Sequence, residues 1–544
     1  MHAIRWIFDS KLGPTDRMIP RWIFLRALGL IYFSAFYSLL FQIKGLIGPD
    51  GILPARTYLQ AIANSGGTEK YWFAPTLLWI SSSSHMLIGL CIAGLIASIA
   101  LFFNLWPRGT LAVCFLCFLS FVSAAQDFSG YQSDGMLLEA GFISLFFAPS
   151  GFRPRWGEHS PPSGAALFLL QWEWFRIYFE SGIIKLLSGD PEWRNLTAMD
   201  QYYQNGPLPT WIGWYLQQLP HRFHWLTALG TLVMELVLVF GLFLPRRFRI
   251  VLFFIVTIWQ FGVIFTANYT FLNYLVLSLG FLLLDDHFVA PFIRRLPIAA
   301  CKNIGASHPE GHGVSHQPTV HGSPSTVRPS LGARDLPHVL DSFRVAFVSL
   351  ILFWIFYATA AQLVVMLWRR APIPILPAAL LEPFRIANRY GLFAVMTRNR
   401  YEIEFQGSND GQNWTPYLFR YKPQALNEAP GIYAPYQPRF DWNLWFASLG
   451  SWRENMFVAS TEERLLNNAP DVLHLFRGNP FPNAPPKFVR AVLYQYWFTT
   501  MSERRSTGNW WRRQFLGSYA PTLTQSPDGK LVVIEWPTTE GSRE

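Results

Sequence analysis

Long apolar runs recur along the first two thirds of this 544-residue chain, and they restrict its fold more than any other feature. A helix needs about 20 mostly apolar residues to cross a lipid bilayer. One run follows the basic N-terminal stretch, and the others lie at 86–103, 109–125, 137–148, 165–187, 223–244, 248–266, 271–284 and 343–367. They predict an α-helical polytopic membrane domain of about nine spans, in which the short run 137–148 either crosses or re-enters the bilayer.

The distribution of basic residues predicts the orientation of these spans. Hydrophobic residues make up 51% of the chain, and its net charge of +10 is spread over short loops without a dense basic stripe, so we expect no nucleic-acid partner. The basic loops alternate along the chain and contain the N-terminus, Arg108, Arg153 with Arg155, Arg246 with its neighbours, and Arg294 with Arg295. Short basic loops favour the cytoplasmic side. The N-terminus is therefore predicted to be cytoplasmic and the C-terminal region lumenal or periplasmic.

Composition divides the chain into four parts. We expect a multi-pass membrane domain at 1–290, a flexible polar linker at 291–340, a last span at 341–370 and an extracytoplasmic domain at 371–544. The linker contains His308, His312, His316 and His321, but no carboxylate or cysteine framework surrounds them. We therefore expect a solvated linker there, and neither a metal nor a cofactor in the protein.

The last domain is predicted to be mainly β. Alternating residues at 401–406 and 417–421, separated by a polar turn, indicate one hairpin, and 519–524 with 531–536 indicate another. The apolar segment 489–498 is typical of a buried strand. Residues 461–466 and 502–515 are predicted to be helical.

One predicted membrane helix carries charge, which is costly inside lipid. Glu173, Arg176 and Glu180 follow at spacings of three and four residues, so they share one helix face, where Arg176 can pair with both carboxylates. Asp134 and Glu139 lie at a neighbouring membrane boundary. These five residues are expected either to line a polar cavity or to form a structural network in which Asp134 caps a helix and Glu139 neutralises a buried arginine.

Lys185 ends the same predicted helix and permits two interpretations. Burial would favour its neutral amine, which could then act as a base. Alternatively, its ammonium group reaches the membrane surface or pairs structurally. A regular helix turns Lys185 away from the face of Arg176, which argues against a joint site.

The segment 420–450 is dense in arginine, aromatic residues and proline, as protein-binding surfaces are. The client-binding candidates within it are Arg420, Tyr421, Arg439, Asp441, Trp442 and Trp445. The alternative is a long ordered loop whose aromatic side chains pack on the domain itself or on the membrane surface.

Several stretches together resemble the lipase maturation factor family. They include YQSDGMLLEAGF at 131–142, GIIKLLSGDPEWRNLTAMDQYYQNGPLPTWIGWY at 182–215 and FRYKPQALNEAPGIYAPYQPRFDWNLWFASL at 419–449. Trp193, Arg194 and Asp200 belong to this signature. The resemblance implies a multi-pass endoplasmic reticulum membrane protein whose lumenal C-terminal part helps secreted lipases to fold and assemble. In a bacterial member the corresponding location is the inner membrane, with the C-terminal part in the periplasm.

A shorter resemblance, carried by GIIKL and Trp193, is to the membrane domain of vitamin K-dependent carboxylase, where it implies that Lys185 is a base. The preferred hypothesis is a non-catalytic membrane chaperone whose partners are membrane lipid and secreted clients. An enzyme that uses Lys185 and a transporter that uses the buried charges are the alternatives. No internal repeat is visible, which argues against transport.

Overall fold

The computed structural model describes residues 13–293 and 336–537. Residues 294–335 of the predicted linker, with its four histidines and the pair Arg294 and Arg295, lie outside these ranges, whereas the linker ends 291–293 and 336–340 are helical. The helices of the first range are α1 (Met18–Leu40), α2 (Ile43–Ile47), α3 (Ala55–Ser65), α4 (Lys70–Phe73), α5 (Ser84–Phe102), α6 (Pro107–Val122), α7 (Gln132–Phe147), α8 (Gly164–Leu187), α9 (Pro191–Arg194), α10 (Met199–Asn205), α11 (Trp211–Gln217), α12 (His221–Leu236), α13 (Arg246–Thr266), α14 (Leu272–Gly280) and α15 (Asp286–Ile293).

The second range begins with α16 (Leu336–Leu367) and continues into the C-terminal region, residues 371–537. Its further helices are α17 (Leu376–Ala379), α18 (Arg439–Ser448), α19 (Phe457–Leu466), α20 (Pro470–Leu473) and α21 (Met501–Thr507). Its strands are β1 (Arg400–Ser408), β2 (Thr415–Pro416), β3 (Phe488–Phe498), β4 (Trp511–Ser518), β5 (Thr522–Gln525) and β6 (Leu531–Glu535).

Several helices fit a multi-pass membrane protein, but nine spans are not established. Within the described ranges, five helices are long and apolar enough to cross a membrane, or six if the bent pair α14 and α15 counts as one. The five are α1, α5, α13, α16 and α12 with its 3-10 extension to Phe243. Helices α6 and α7 have 16 residues each, and α8 carries four charged residues among its 24. The count of nine therefore stays a prediction.

The loops predicted to share the cytoplasmic side meet at one end of the helix bundle, the basic end. Arg21 donates to the Ser160 carbonyl oxygen at 2.6 Å, and the Arg108 Nε donates to the Ala148 carbonyl oxygen at 2.9 Å. Arg246 pairs with Asp285 there. The sequence thus predicted which of these loops lie together.

The remaining loops meet the C-terminal region at the opposite end. Gln42 Nε2 donates to the Gln437 carbonyl oxygen at 2.9 Å, and Asn205 Nδ2 donates to the Thr397 carbonyl oxygen at 2.7 Å. Buried apolar side chains continue from α1 through the bundle to β5. The bundle and the C-terminal region therefore share one core, and segments far apart in sequence build the opposite end together.

The C-terminal region contains one six-stranded antiparallel sheet with the order β2-β1-β3-β5-β6, in which β4 also pairs with β3. The predicted buried strand is β3, the longest at 11 residues. The second predicted hairpin is β5 and β6, closed by a hydrogen bond from the Ser526 amide to the Lys530 carbonyl oxygen. The C-terminal β-sheet is thus confirmed.

Two local predictions in this region were wrong. Residues 502–515 were expected to be helical, but α21 ends at Thr507 and β4 begins at Trp511. Gly508 adopts a φ of +74°, a left-handed conformation that glycine accepts without steric cost and that ends the helix. Strand β2 contains only Thr415–Pro416 instead of 417–421, because the chain leaves β1 after the Tyr417 amide donates to the Phe405 carbonyl oxygen, and Phe419 then forms an isolated bridge with Phe476.

Candidate functional site

Lys185 lies in the last turn of α8 and forms a buried ion pair with Glu235 of α12. Its Nζ donates to the Glu235 carboxylate at 2.7 and 2.9 Å and to the Ser181 Oγ at 2.7 Å. The Trp193 ring centre lies 5.0 Å from Nζ. Only 2% of Lys185 is exposed, so the ammonium does not reach the membrane surface. The geometry thus shows Lys185 paired inside the protein, and its role as a base stays a prediction.

A glycine brings the two helices close enough for this pair. A Cβ atom on Gly182 would lie 2.7 Å from the Glu235 Cβ, which is closer than carbon atoms pack. Glycine therefore allows α8 and α12 to approach within one turn of Lys185. Glu235 was missed by the sequence predictions, although a carboxylate inside an apolar run is itself a signal of function.

A largely apolar cavity of about 590 Å³ lies beside the ion pair, between α8, α12, α13 and α14. Trp193, Met199 and Tyr202 close it toward the C-terminal region, together with Tyr390 and nearby residues of the segment that follows α17. The sequence contained no signal for this cavity, because its walls come from segments that lie far apart in the chain.

The predicted charge cluster exists in part. Arg176 forms an ion pair with Glu139 of α7 and lies 3.9 Å from the Glu180 carboxylate. Glu173 was expected to pair with Arg176 as well. Both oxygens of its buried carboxylate lack a hydrogen-bond partner among the described residues.

Backbone groups of the C-terminal region complete this cluster. Arg176 donates to the Asn388 carbonyl oxygen at 2.7 Å, and the Asn388 amide donates to Glu139 at 2.8 Å. The Tyr390 amide donates to Glu180 at 2.7 Å. The buried charges thus hold the segment after the last span against the bundle, which is the structural alternative of the two predictions.

Asp134 pairs outside this cluster, and it does not cap α7. Its carboxylate accepts two hydrogen bonds from the Arg439 guanidinium, at 2.7 and 2.9 Å. Arg439 also donates to the Phe128 carbonyl oxygen at 2.8 Å, and both side chains are fully buried. A two-bond arginine-carboxylate pair therefore joins α7 of the bundle to α18 of the C-terminal region.

The other client-binding candidates differ in exposure. Arg420 is exposed and donates to the His474 carbonyl oxygen at 3.1 Å, and Tyr421 is half-buried. Asp441, Trp442 and Trp445 are buried in α18. Their packing inside this chain matches the alternative of an ordered segment, and their contact with clients stays a prediction.

Asp441 is a buried carboxylate whose pKa is raised. Its Oδ1 accepts hydrogen bonds from the Tyr421 and Lys422 amides, both at 3.1 Å. Burial raises the pKa of Asp441 to about 6, because desolvation disfavours the charged carboxylate more than these amides and Lys422 stabilise it.

The three signature residues Trp193, Arg194 and Asp200 lie in different surroundings. Trp193 is buried and donates from Nε1 to the Phe393 carbonyl oxygen at 2.8 Å. Asp200 lies 3.0 Å from His221 at the start of α12, whereas Arg194 is exposed. In the described ranges, no group of histidine, cysteine and acidic side chains has a geometry that could hold a metal ion.

Two models of known protein families match separate parts of the chain. Residues 19–291 match the family model described as the lipase maturation factor transmembrane domain, and residues 386–521 match that of the lipase maturation factor C-terminal domain. The chain belongs to the lipase maturation factor family. The resemblance stated from the sequence motifs is therefore confirmed.

Curated relatives match over most of the chain. Lipase maturation factor 2 of Gallus gallus is 32% identical, across 93% of this chain and 81% of the relative. Lipase maturation factor 1 of Bos taurus is 30% identical, across 98% and 94%. Lipase maturation factor 2 of Homo sapiens is 29% identical, across 93% and 83%. No solved structure matches this chain.

Proposed function

We propose that this member of the lipase maturation factor family is a membrane-bound factor that assists the folding of secreted client proteins, with lipases as clients. Its membrane helices and the names of its relatives support this function over the enzyme and transporter alternatives. The distribution of basic loops supports a cytoplasmic N-terminus and a C-terminal region in the endoplasmic reticulum lumen, or in the periplasm of a bacterium.

The observation that carries the proposal is the exposed apolar edge strand β6. The strand ends the sheet order and, within the described ranges, pairs only with β5. Ile534 and the adjoining Trp536 are 56% and 59% exposed, and Leu531 and Val532 are exposed as well. Lys530 and Pro537 flank the strand and Glu535 ends it, so charge and proline lie only at its ends. The apolar residues between them leave free backbone groups that attract another strand.

An exposed apolar strand suits an incompletely folded client. Its free backbone groups pair with an extended segment, and its side chains bury apolar surface that the client has not yet enclosed. We assign client binding to this edge and retain Arg420 and Tyr421 as polar contacts from the predicted set. The buried pair Arg439 and Asp134 then holds the binding region rigidly on the membrane bundle.

The test uses the full chain with Val532 and Ile534 both replaced by lysine. Each of these exposed aliphatic side chains would contribute about 1.5 kcal/mol by becoming buried against the client, so the double change should weaken client binding on the order of 100-fold. The chain is expressed with a secreted lipase in cells that lack their own maturation factor. The measurement is lipase activity per secreted lipase molecule, which should fall toward the level without the factor.

Leu418→Lys is the matched control, because Leu418 is an apolar residue, 49% exposed, that follows β2 at the other edge of the sheet. It should leave lipase activity unchanged. Equal loss in the control would assign the effect to surface charge, and full activity of the β6 variant would remove the support for the proposed function.

A further inference from the structure

The cavity beside Lys185 and Glu235 has the construction of a ligand site, and it is independent of the client-binding proposal. Its volume of about 590 Å³ lies within the roughly 300 to 1,000 Å³ typical of pockets for one small molecule. Apolar side chains, among them Ile177, Met199 and Trp259, form most of the wall. Such a wall selects an apolar chain or ring system over a polar metabolite.

Polar groups are placed at definite points of this wall. The Lys185 and Glu235 pair is one, with the Ser181 hydroxyl beside it. Tyr178 is another, and its hydroxyl donates to Gln260 Oε1 at 3.0 Å. A few fixed hydrogen-bonding groups in an otherwise apolar pocket orient the polar end of a ligand.

The charges of Lys185 and Glu235 balance each other. This balance favours a neutral headgroup over an ionised one. Lys185 and Glu235 form a pair with no net charge. An ionised fatty acid would bring a second carboxylate against Glu235, and like charges in a low-dielectric site repel. A neutral headgroup with hydroxyl groups can instead donate to Glu235 without disturbing the pair.

The cavity is open toward the apolar surface of the bundle. Ile258 of α13 lines it and is 72% exposed, and Gly262 lies one turn further along the same helix. A Cβ atom on Gly262 would meet no atom within 4 Å. Since α13 is apolar and long enough to cross a membrane, this opening faces the lipid phase.

We propose that this cavity binds a neutral single-chain amphiphile from the membrane, with its hydroxylated headgroup at the Lys185 and Glu235 pair and its acyl chain toward Ile258. One chain fits because the volume matches one drug-sized molecule, whereas a phospholipid carries two chains and a charged headgroup. The chain enters sideways from the bilayer through the opening at Gly262.

The test uses the full chain in phosphatidylcholine nanodiscs and a 1-monoacylglycerol probe with a diazirine and an alkyne in its acyl chain. After illumination, peptide mass spectrometry locates the labelled residues. Labelling is expected on the cavity-lining faces of α8 and α13, with competition by unlabelled 1-monoacylglycerol. The matching fatty-acid probe should label these residues on the order of tenfold less, the effect of about 1.4 kcal/mol in binding.

Gly262→Trp fills the opening without touching the ion pair, and it should reduce cavity labelling on the order of tenfold. Gly89→Trp is the matched control, because Gly89 is also a glycine within an apolar helix whose added Cβ meets no atom within 4 Å. It should label like the unchanged chain. Thermal unfolding of both variants establishes that they are folded.

Glu235→Gln tests the headgroup assignment separately. The substitution leaves the Lys185 charge unbalanced, so fatty-acid labelling should rise relative to monoacylglycerol labelling. The proposal is overturned if Gly262→Trp keeps full cavity labelling. A phosphatidylcholine probe with the same diazirine and alkyne groups is compared as well. The proposal is also overturned if the fatty-acid and phosphatidylcholine probes label the cavity of the unchanged chain as strongly as the monoacylglycerol probe does, which would mean that only bulk lipid is present there.

Discussion

The buried pair of Arg439 and Asp134 offers the sharpest test of how the C-terminal region is held on the membrane bundle. Replacing Arg439 by methionine keeps much of the side-chain volume but removes three hydrogen bonds, two to Asp134 and one to the Phe128 carbonyl oxygen. The Asp134 carboxylate would then stay fully buried without its counter-charge. An uncompensated buried charge is the main source of the expected loss.

The magnitude follows from that burial. Breaking one partner of a buried ion pair costs about 3 to 5 kcal/mol, whereas replacing both partners by apolar residues of similar size is close to neutral. Arg439→Met alone should therefore lower the unfolding temperature of the C-terminal region by about 6 to 20 °C, at about 2 to 4 °C per kcal/mol for a unit of this size. Arg439→Met with Asp134→Leu should recover most of this loss.

The assay is thermal unfolding of the full chain in nanodiscs, followed by tryptophan fluorescence and by limited proteolysis of the C-terminal region. Asp134→Leu alone leaves the buried Arg439 charge without its counter-charge and completes the double-mutant cycle. The reasoning is refuted if the double variant is as unstable as the sum of the two single variants. A single-variant loss below about 1 kcal/mol, the size of an exposed ion pair, would refute it as well.

Three further predictions concern packing and pH. Gly182→Val should lower the unfolding temperature through a loss of about 1 to 3 kcal/mol, because its Cβ meets that of Glu235, whereas Gly89→Val should not. The pKa of Asp441 is raised by burial from 3.8 to about 6, so the folded state keeps a proton that the unfolded chain has released. Its stability contribution should fall by roughly 3 kcal/mol in total as pH rises from below the unfolded pKa to above the folded pKa, with about 2 kcal/mol of this between pH 4 and pH 6. Asp441→Asn should remove this slope, measured as unfolding temperature against pH, and an unchanged slope would contradict the assignment. Burial raises the pKa of Glu462 well above its usual range, so Glu462→Gln should stabilise the protein at pH 8 but not at pH 4. Equal effects at both pH values would contradict a neutral Glu462.

The sequence predicted only part of the candidate site. Helical spacing placed Arg176 and Glu180 on one face and turned Lys185 away from them, as the structure has it. It could not supply Glu235, which lies 50 residues from Lys185, or the Asn388 backbone, which lies 212 residues from Arg176. Local spacing specifies a helix face but does not specify which distant segment packs against it.

In the predicted client-binding segment 420–450, composition did not determine which side chains are exposed. Its arginine and aromatic composition suits an exposed binding surface and a buried junction equally well, because both need large side chains with directed hydrogen bonds. Tertiary packing decides between them. Trp442 and Arg439 are buried against the bundle, whereas Arg420 is exposed.

The sequence by itself determined the apolar helices, the alternation of basic loops, the strand β3, the hairpin of β5 and β6, and the family, since each depends on local composition or on a continuous motif. Only the tertiary structure decided that Asp134 meets Arg439, that β6 is an edge strand within the described ranges, and that segments far apart in the chain line a cavity beside Lys185. The physical reason is that buried charge must be neutralised and apolar surface must be covered. Many residues of the chain could neutralise a given buried charge or cover a given apolar surface. Tertiary packing determines which residue does so.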